Sequence, residues 1–451
     1  MDLELLSLLP IIICLILILI TKNAFVSILS GLLTGSLLLF ITEGATFTVI
    51  NGIVAVATDA YQFKIIGFIM LTGALVGAIQ ASGGITGVIQ TLNRLEKGTR
   101  SKVGSQLFLM LIGCLMFMDG TSSMAVTAVV GRPIFKQLKL PKEKLALLVN
   151  STSAPIAWLI PFGGAGAMVA GALSETGVPL DDPFSYVVSA VGFQFYTLAL
   201  LILLATTILL KIDLGPIKHM VYVDEALETP SVGRDRARNM IFPVVVLIVV
   251  IFSLLFYTGE GNILKGDGAT SIFTAGCITL LFTAVFYRIQ NLGTFSTILS
   301  WFFNGMRLML EISLLLLIAF AFGDMIQRLG TASYLVQVTN FIPTQLLPLA
   351  VLLLSAIIAF STGTSSGTVA IMTPLMIPIV VSSGGSIPLA IGALISGAVF
   401  GDQNSIISDS VIMTSSMTMV EPITHVKTQL PYTLIALGLA SIGYLILGFI
   451  M

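Results

Sequence analysis

Phe117-Met118-Asp119-Gly120-Thr121-Ser122-Ser123 and Phe360-Ser361-Thr362-Gly363-Thr364-Ser365-Ser366 carry the same tetrapeptide, Gly-Thr-Ser-Ser, at a separation of 243 residues (360 − 117). Each copy is a polar break inside an apolar stretch. Unpaired backbone in hydrocarbon is very costly, so such a break survives only where protein buries it or where it lines an aqueous site. Two related halves, each interrupted at membrane depth, imply a secondary transporter built from repeats.

The surrounding composition agrees. Of 451 residues, 56% are hydrophobic and 10% charged, which places the chain among polytopic all-α membrane proteins. A net charge of −1 gives no case for a nucleic-acid partner. Cys14, Cys114 and Cys277 all lie in apolar segments, which argues against a disulfide framework or a cysteine metal site. Residues 5–20 have the length of a signal-peptide core, but Asp2 and Glu4 precede them and no small-residue cleavage site follows, so a retained first span is expected.

Spans of about 20 apolar residues are read near 5–20, 24–42, 65–90, 145–173 and 185–210, and then near 240–257, 269–287, 299–322, 388–412 and 431–450. The two regions with central breaks, 104–131 and 346–380, are read as re-entrant hairpins. Lys and Arg accumulate on the cytoplasmic side. Arg94, Lys97, Arg100 and Lys102 precede the first hairpin, and Arg132, Lys136, Lys139, Lys142 and Lys144 follow it, so both its ends are cytoplasmic. The flanks of the second hairpin hold no Lys or Arg and fit the outer face. Five full spans per half, an odd number, insert the second half upside down. The expected division is a first repeat over 1–210, a polar cytoplasmic linker over 211–238, and an inverted second repeat over 239–451.

Several residue groups could carry chemistry. At the tips, Gly120, Thr121, Ser122 and Ser123, with Gly363, Thr364, Ser365 and Ser366, offer hydroxyls and free backbone groups to an ion or a carboxylate. Each hairpin is followed by a second polar interruption. In the first half it is Asn150-Ser151-Thr152-Ser153-Ala154-Pro155, with a further break at Pro161-Phe162-Gly163-Gly164. In the second it is Gly401-Asp402-Gln403-Asn404-Ser405-Ile406-Ile407-Ser408-Asp409. Asp119, Asp402 and Asp409 are carboxylates within apolar segments. An Asp there costs on the order of 3 kcal/mol, which a function or a specific partner must offset. A carboxylate that exchanges a proton for a cation is the physical core of cation/proton antiport, so these three acids are the candidate Na+ sites. Arg307 and Glu311, four apart, are expected to pair. Glu421, His425 and Lys427 are read as cytoplasmic anchors.

These residues resemble the sodium/proton antiporter C family of the ion-transporter superfamily. The likeness is strongest in Gly401-Asp402-x-x-Ser405-x-Ile407-Ser408-Asp409 and His425-Val426-Lys427-Thr428-Gln429-Leu430-Pro431-Tyr432. It extends to Lys144-Leu145-Ala146, Ser151-Thr152-x-Ala154-Pro155 and Phe117-x-Asp119. The resemblance implies inverted repeats with two re-entrant hairpins, a homodimer, and alternating access of the elevator kind. It points to Asp402, Ser405, Ser408 and Asp409 as site residues. Gln403-Asn404 stands where the family has His and a small or polar residue, and Ile406 where Pro is usual, which leaves the transported species open.

The leading expectation is a Na+/H+ antiporter of the cell membrane, with Na+ and H+ as its partners beside the lipid bilayer and no cofactor. The rival is Na+- or H+-coupled transport of an amino acid or small organic carboxylate. A channel is a third class, which opposed hairpins with intervening acids disfavour because they suggest gates. No metal-binding His pair, P-loop or Gly-x-Ser-x-Gly motif supports an enzyme.

Overall fold

In hydrocarbon every backbone N–H and C=O must be paired within the protein, and apolar helices do this locally. The computed structural model describes residues 6–21, 23–45, 48–88, 101–115, 117, 120–223, 236–263, 266–331, 334 and 343–450, which form α-helices, short 3-10 turns and loops. Asp2, Glu4, Arg94, Lys97, Arg100 and Asp119, used above, lie outside these residues.

The first half holds α1 (Leu9–Thr21), α2 (Ala24–Glu43), α3 (Thr48–Thr58), α4 (Ala60–Ala81), α5 (Lys102–Leu115), α6 (Gly120–Leu138), α7 (Lys142–Leu159), α8 (Gly164–Ser174), α9 (Pro183–Ala190) and α10 (Phe195–Leu210). The second holds α11 (Arg238–Thr258), α12 (Gly268–Ile289), α13 (Phe295–Leu308), α14 (Leu310–Arg328), α15 (Leu347–Thr362), α16 (Ser365–Ser382), α17 (Ile387–Asn404), α18 (Asp409–Thr418) and α19 (Pro422–Ile450). Among the described residues nine helices are long and apolar enough to cross a membrane, ten if α7 and α8 are one bent span.

The repeat is sharper in the helices than in the residues. The starts of α5 to α8 and of α15 to α18 differ by 347 − 102, 365 − 120, 387 − 142 and 409 − 164, each 245. Packing follows the same equivalence. α2 packs on α14 as α12 packs on α4; α8 packs on α16 as α18 packs on α6; α10 packs on α17 as α19 packs on α7. Even a cap recurs: Asn23 accepts from Val26 N–H at the start of α2, and Asp267 accepts from Thr270 N–H at the start of α12.

The hairpins are α5–α6 and α15–α16, with arms longer than the stretches 104–131 and 346–380 expected for them. The second turns within two residues. Gly363 ends α15 in the left-handed region (φ 70°) with its N–H on Ala359 O at 2.8 Å. Thr364 then caps α16, its Oγ1 accepting from Gly367 N–H at 3.2 Å. A Cβ on Gly363 would lie 2.9 Å from Ile407 Cγ1, so the turn rests against the break between α17 and α18.

Several expectations change. The span read at 145–173 is two helices bent by 43° at Ile160–Gly163, so the break is the Pro161-Phe162-Gly163-Gly164 one. Asn150–Pro155 remains helical: Pro155 removes one backbone donor, and the remaining ladder bonds hold the turn. The span at 388–412 breaks at Ser405–Ser408, and Gly401–Asn404 belong to α17. The stretch 299–322 is α13 and α14, divided at Met309. Arg307 and Glu311 therefore sit on different helices and lack the expected i, i+4 register. Helix α3 was not anticipated.

α4 and α13 cross with almost no separation. A Cβ on Gly305 would lie 2.1 Å from Gly73 O, and one on Gly77 2.5 Å from Gly305 Cα. This crossing fixes α4 and the α13–α14 turn against the hairpin tips. At the far end of α8, buried Glu175 joins the same frame. Gln62 of α4 donates to its carboxylate, and Gln327 of α14 donates to its backbone carbonyl at 2.7 Å. Burial pushes the Glu175 carboxyl up from 4.5 to about 7. Lys144 pairs with Asp213 at 2.6 Å and holds the start of the linker to α7.

Candidate functional site

Both hairpin tips open onto one cavity of about 230 Å³. Gly120 and Thr121 reach it from the first hairpin, and Gly363, Thr364, Ser365 and Ser366 from the second. Asp402 comes from α17, with Asp409 and Ser410 from the first turn of α18. The wall is completed by Thr72 of α4, Trp158 of α7, Gly164 of α8, and four methionines, Met124, Met168, Met309 and Met413.

Asp402 is the most heavily bonded group here. Its Oδ2 accepts from Ser365 N–H at 3.2 Å and Ser365 Oγ–H at 2.7 Å. Its Oδ1 accepts from Ser408 Oγ–H and from Ser410 Oγ–H, the latter at 2.9 Å. One carboxylate thereby joins the second hairpin tip to the break that follows α17. The break is built for this: Ser405 N–H returns to Asp402 O at 3.2 Å, Ser408 N–H to Ser405 O at 3.0 Å, and Ser408 Oγ caps α18 by accepting from Ser410 N–H at 3.1 Å. Four donors fix the carboxylate in place, and charge-assisted bonds of this kind are roughly twice as strong as neutral ones.

The helix ends add a second electrostatic element. Gly120, Gly164, Ser365 and Asp409 are the first residues of α6, α8, α16 and α18, and all four line the cavity. Each N-terminus carries roughly +0.5 of an elementary charge. The C-terminal ends of α7, at Trp158, and α15, at Gly363, partly offset them. Among the described residues the lining has two carboxylates and no Lys, Arg or His.

Not all expected site residues gather here. Asp119 lies outside the described residues, and Ser122 occupies the first turn of α6. Ser123 turns away from the cavity and donates to Gly113 O at 3.1 Å and Ser153 Oγ at 2.9 Å, clamping the hairpin to α7. Asn150 is fully buried and bonds His425 Nε2 at 3.1 Å and Gln429 Oε1 at 3.2 Å. His425 is therefore a core residue of α19, not a surface anchor. Ser151 is buried beside Asn150 on α7, and Thr152 Oγ1 donates to Leu148 O at 2.7 Å. Asn404 accepts from Thr433 Oγ1–H at 2.8 Å, and buried Ser405 serves the break through its backbone. The reason is height along the helix: Asn150 shares a face with Ala154 and Ala157, but the cavity opens only at Ala154, Ala157 and Trp158, and a turn earlier α7 is packed against α19 and α5. Thr72 and Ser410 were missed. Ser410 could have been found as the residue after Asp409; Thr72 has no signal beyond being a lone hydroxyl in an apolar helix.

The profile of the Na+/H+ antiporter family matches residues 181–449, more than half of the chain. The chain belongs to the Na+/H+ antiporter family. It is a secondary transporter and a multi-pass integral membrane protein. An uncharacterized protein of Haemophilus influenzae is 27% identical over 98% of this chain and 91% of its own length. The malate-2H+/Na+-lactate antiporter of Bacillus subtilis is 37% identical over 110 residues, 24% of each chain. Among solved structures, the Alcanivorax borkumensis YdaH transporter superposes with a TM-score of 0.65 at 15% identity, covering 89% of this chain and 88% of that one. Neisseria gonorrhoeae MtrF, described within a class of antimetabolite efflux pumps, gives 0.63 at 14% identity, covering 91% and 84%. At such identities these two speak for the fold alone.

Proposed function

We propose that this family member is a Na+/H+ antiporter that works by alternating access, with Asp402 and Asp409 as the carboxylates that exchange Na+ for H+. The observation that carries this reading is the charge of the cavity: among the described residues its ionisable lining groups are two carboxylates. A bare cation needs oxygen ligands in place of its water. The hydroxyls of Thr72, Thr121, Thr364 and Ser366 line the same space as the two acids. When Na+ leaves, a proton on one carboxylate removes the cost of an uncompensated buried charge. A homodimer belongs to the proposal on the strength of the family resemblance.

A second reading, exchange or cotransport of a small carboxylate, is favoured by the four helix N-termini on the cavity wall, which suit an anion. The Bacillus subtilis relative, named for malate and lactate, points the same way. Purified protein in liposomes, with a trapped pH dye and an imposed Na+ gradient, separates the two. Proton flux with Na+ alone supports the antiporter. Flux that appears only when lactate, malate or another carboxylate is supplied moves the assignment to the second reading, and flux that needs neither Na+ nor a carboxylate overturns both.

A further inference from the structure

Resting on the antiport reading, we propose that the buried hydroxyl face of α18, Ser410–Thr414–Thr418, conducts the proton between Asp402 and the cytoplasmic side, separately from the cavity through which Na+ passes. The three residues are four apart and so share one helix face, which runs about 12 Å from first to last at 1.5 Å per residue. All three are buried. Ser410 Oγ–H donates to Asp402 Oδ1 at 2.9 Å, so the face starts on the carboxylate itself. Thr418 ends it. Its Oγ1–H donates to Thr414 O at 2.7 Å, and it lines a second, smaller cavity beside Arg132, Lys136, Lys142 and Tyr222.

Thr414 is the informative residue. It has no exposed surface, and its Oγ1 has no hydrogen-bond partner among the described residues. Ser415, next to it on α18, is also buried, with an Oγ that has no partner among them. Threonines in helices ordinarily satisfy a buried hydroxyl on the carbonyl four residues back, as Thr418 does here. Leaving one unsatisfied costs about 1 to 3 kcal/mol, and the proposed path assigns a bridging water to this hydroxyl. Side chains at i and i+4 stand about 6 Å apart, too far for a direct bond and right for one bridging water. In each transfer, a hydroxyl or water accepts a proton on a lone pair and releases its own to the next oxygen. One proton leaves Asp402 and one reaches cytoplasmic water, with no net change between.

The same face excludes Na+. Isolated hydroxyls on a packed helix cannot supply the several oxygens that replace the ion's water. The mouth at Thr418 carries Arg132, Lys136 and Lys142, which repel metal cations. Na+ is thus confined to the acid-lined cavity, and the two ions leave Asp402 by different routes.

Thr414→Val keeps the volume and removes the hydroxyl; Thr414→Ser restores it. Two rates are measured in liposomes: Na+-driven proton flux, and exchange of external 22Na+ for internal Na+, which needs no proton. Thr414→Val should lower proton flux at least tenfold and leave 22Na+ exchange within twofold of wild type, and Thr414→Ser should recover at least half of the lost proton flux. Wild-type proton flux in Thr414→Val overturns the path and leaves the antiport reading standing. Equal loss of both rates in the Val variant overturns it as well, because that is what a packing defect does. Wild-type protein without any Na+-driven proton flux defeats the antiport reading, and the path with it.

Discussion

Asp402→Asn removes one charge from the site with little change of shape, and the structure sets how large each consequence should be. Oδ2 faces Ser365 N–H, a donor that cannot reverse, so the amide oxygen of Asn takes that side. The amide nitrogen then faces Ser408 and Ser410, whose hydroxyls can rotate and accept. All four contacts survive as neutral bonds. The fold loses charge assistance, about 1 kcal/mol, and gains relief from burying a charge. Its melting temperature should move by only a few degrees. Ion binding behaves differently. Attraction between Na+ and a carboxylate about 4 Å away is worth about 4 kcal/mol at an effective dielectric near 20, close to a thousandfold in affinity. Even if hydration takes half of that, roughly thirtyfold remains. Scintillation-proximity binding of 22Na+ and dye-reported proton flux in liposomes give the two functional numbers, and a thermal melt gives the third. Na+ affinity within threefold of wild type in a folded Asp402→Asn protein refutes the assignment of this carboxylate.

Two further outcomes follow from other parts of the molecule. Cysteines at Thr121 and Ser366, in a background lacking Cys14, Cys114 and Cys277, should be joined by a short bifunctional reagent and protected by Na+, because both positions line one cavity; failure of every short reagent to join them contradicts the meeting of the tips. Glu175→Gln should flatten the pH dependence of stability. The Glu175 carboxyl is raised from 4.5 to about 7, so its favourable contribution is fully present below 4.5 and is lost as pH rises through 7. Thermal melts of wild type between pH 4.5 and 8 should therefore fall relative to the variant, by on the order of 3 kcal/mol at most; parallel curves contradict the burial argument.

What the sequence revealed and what it hid follow from one distinction. A feature that conflicts with the bilayer is visible in one dimension. The paired Gly-Thr-Ser-Ser breaks, the acids in apolar segments and the charge-poor flanks all announce themselves because hydrocarbon penalises them. From these came the two hairpins, the repeat and Asp402. A feature set by how far along a helix a cavity reaches is not visible in that way. Asn150, Ser151 and Thr152 look like a polar break, and Asn150 even shares a face with Ala154 and Ala157, yet they lie a turn before the cavity, where α7 packs on α19 and α5. Helix α3 escaped because at 11 residues it is too short to register as a span, although its counterpart α13 marks where the repeat requires it. Arg307 and Glu311 were misread because nothing in a continuous apolar run signals that α13 stops at Leu308.

The central claim is that one carboxylate site holds either Na+ or H+. Equilibrium binding of 22Na+ to purified wild-type protein, measured from pH 5 to pH 8, tests it without any need for turnover. Competition at a shared site predicts that the apparent Na+ affinity weakens as pH falls, approaching tenfold per pH unit where one proton displaces one ion. An affinity that stays flat across that range contradicts the account.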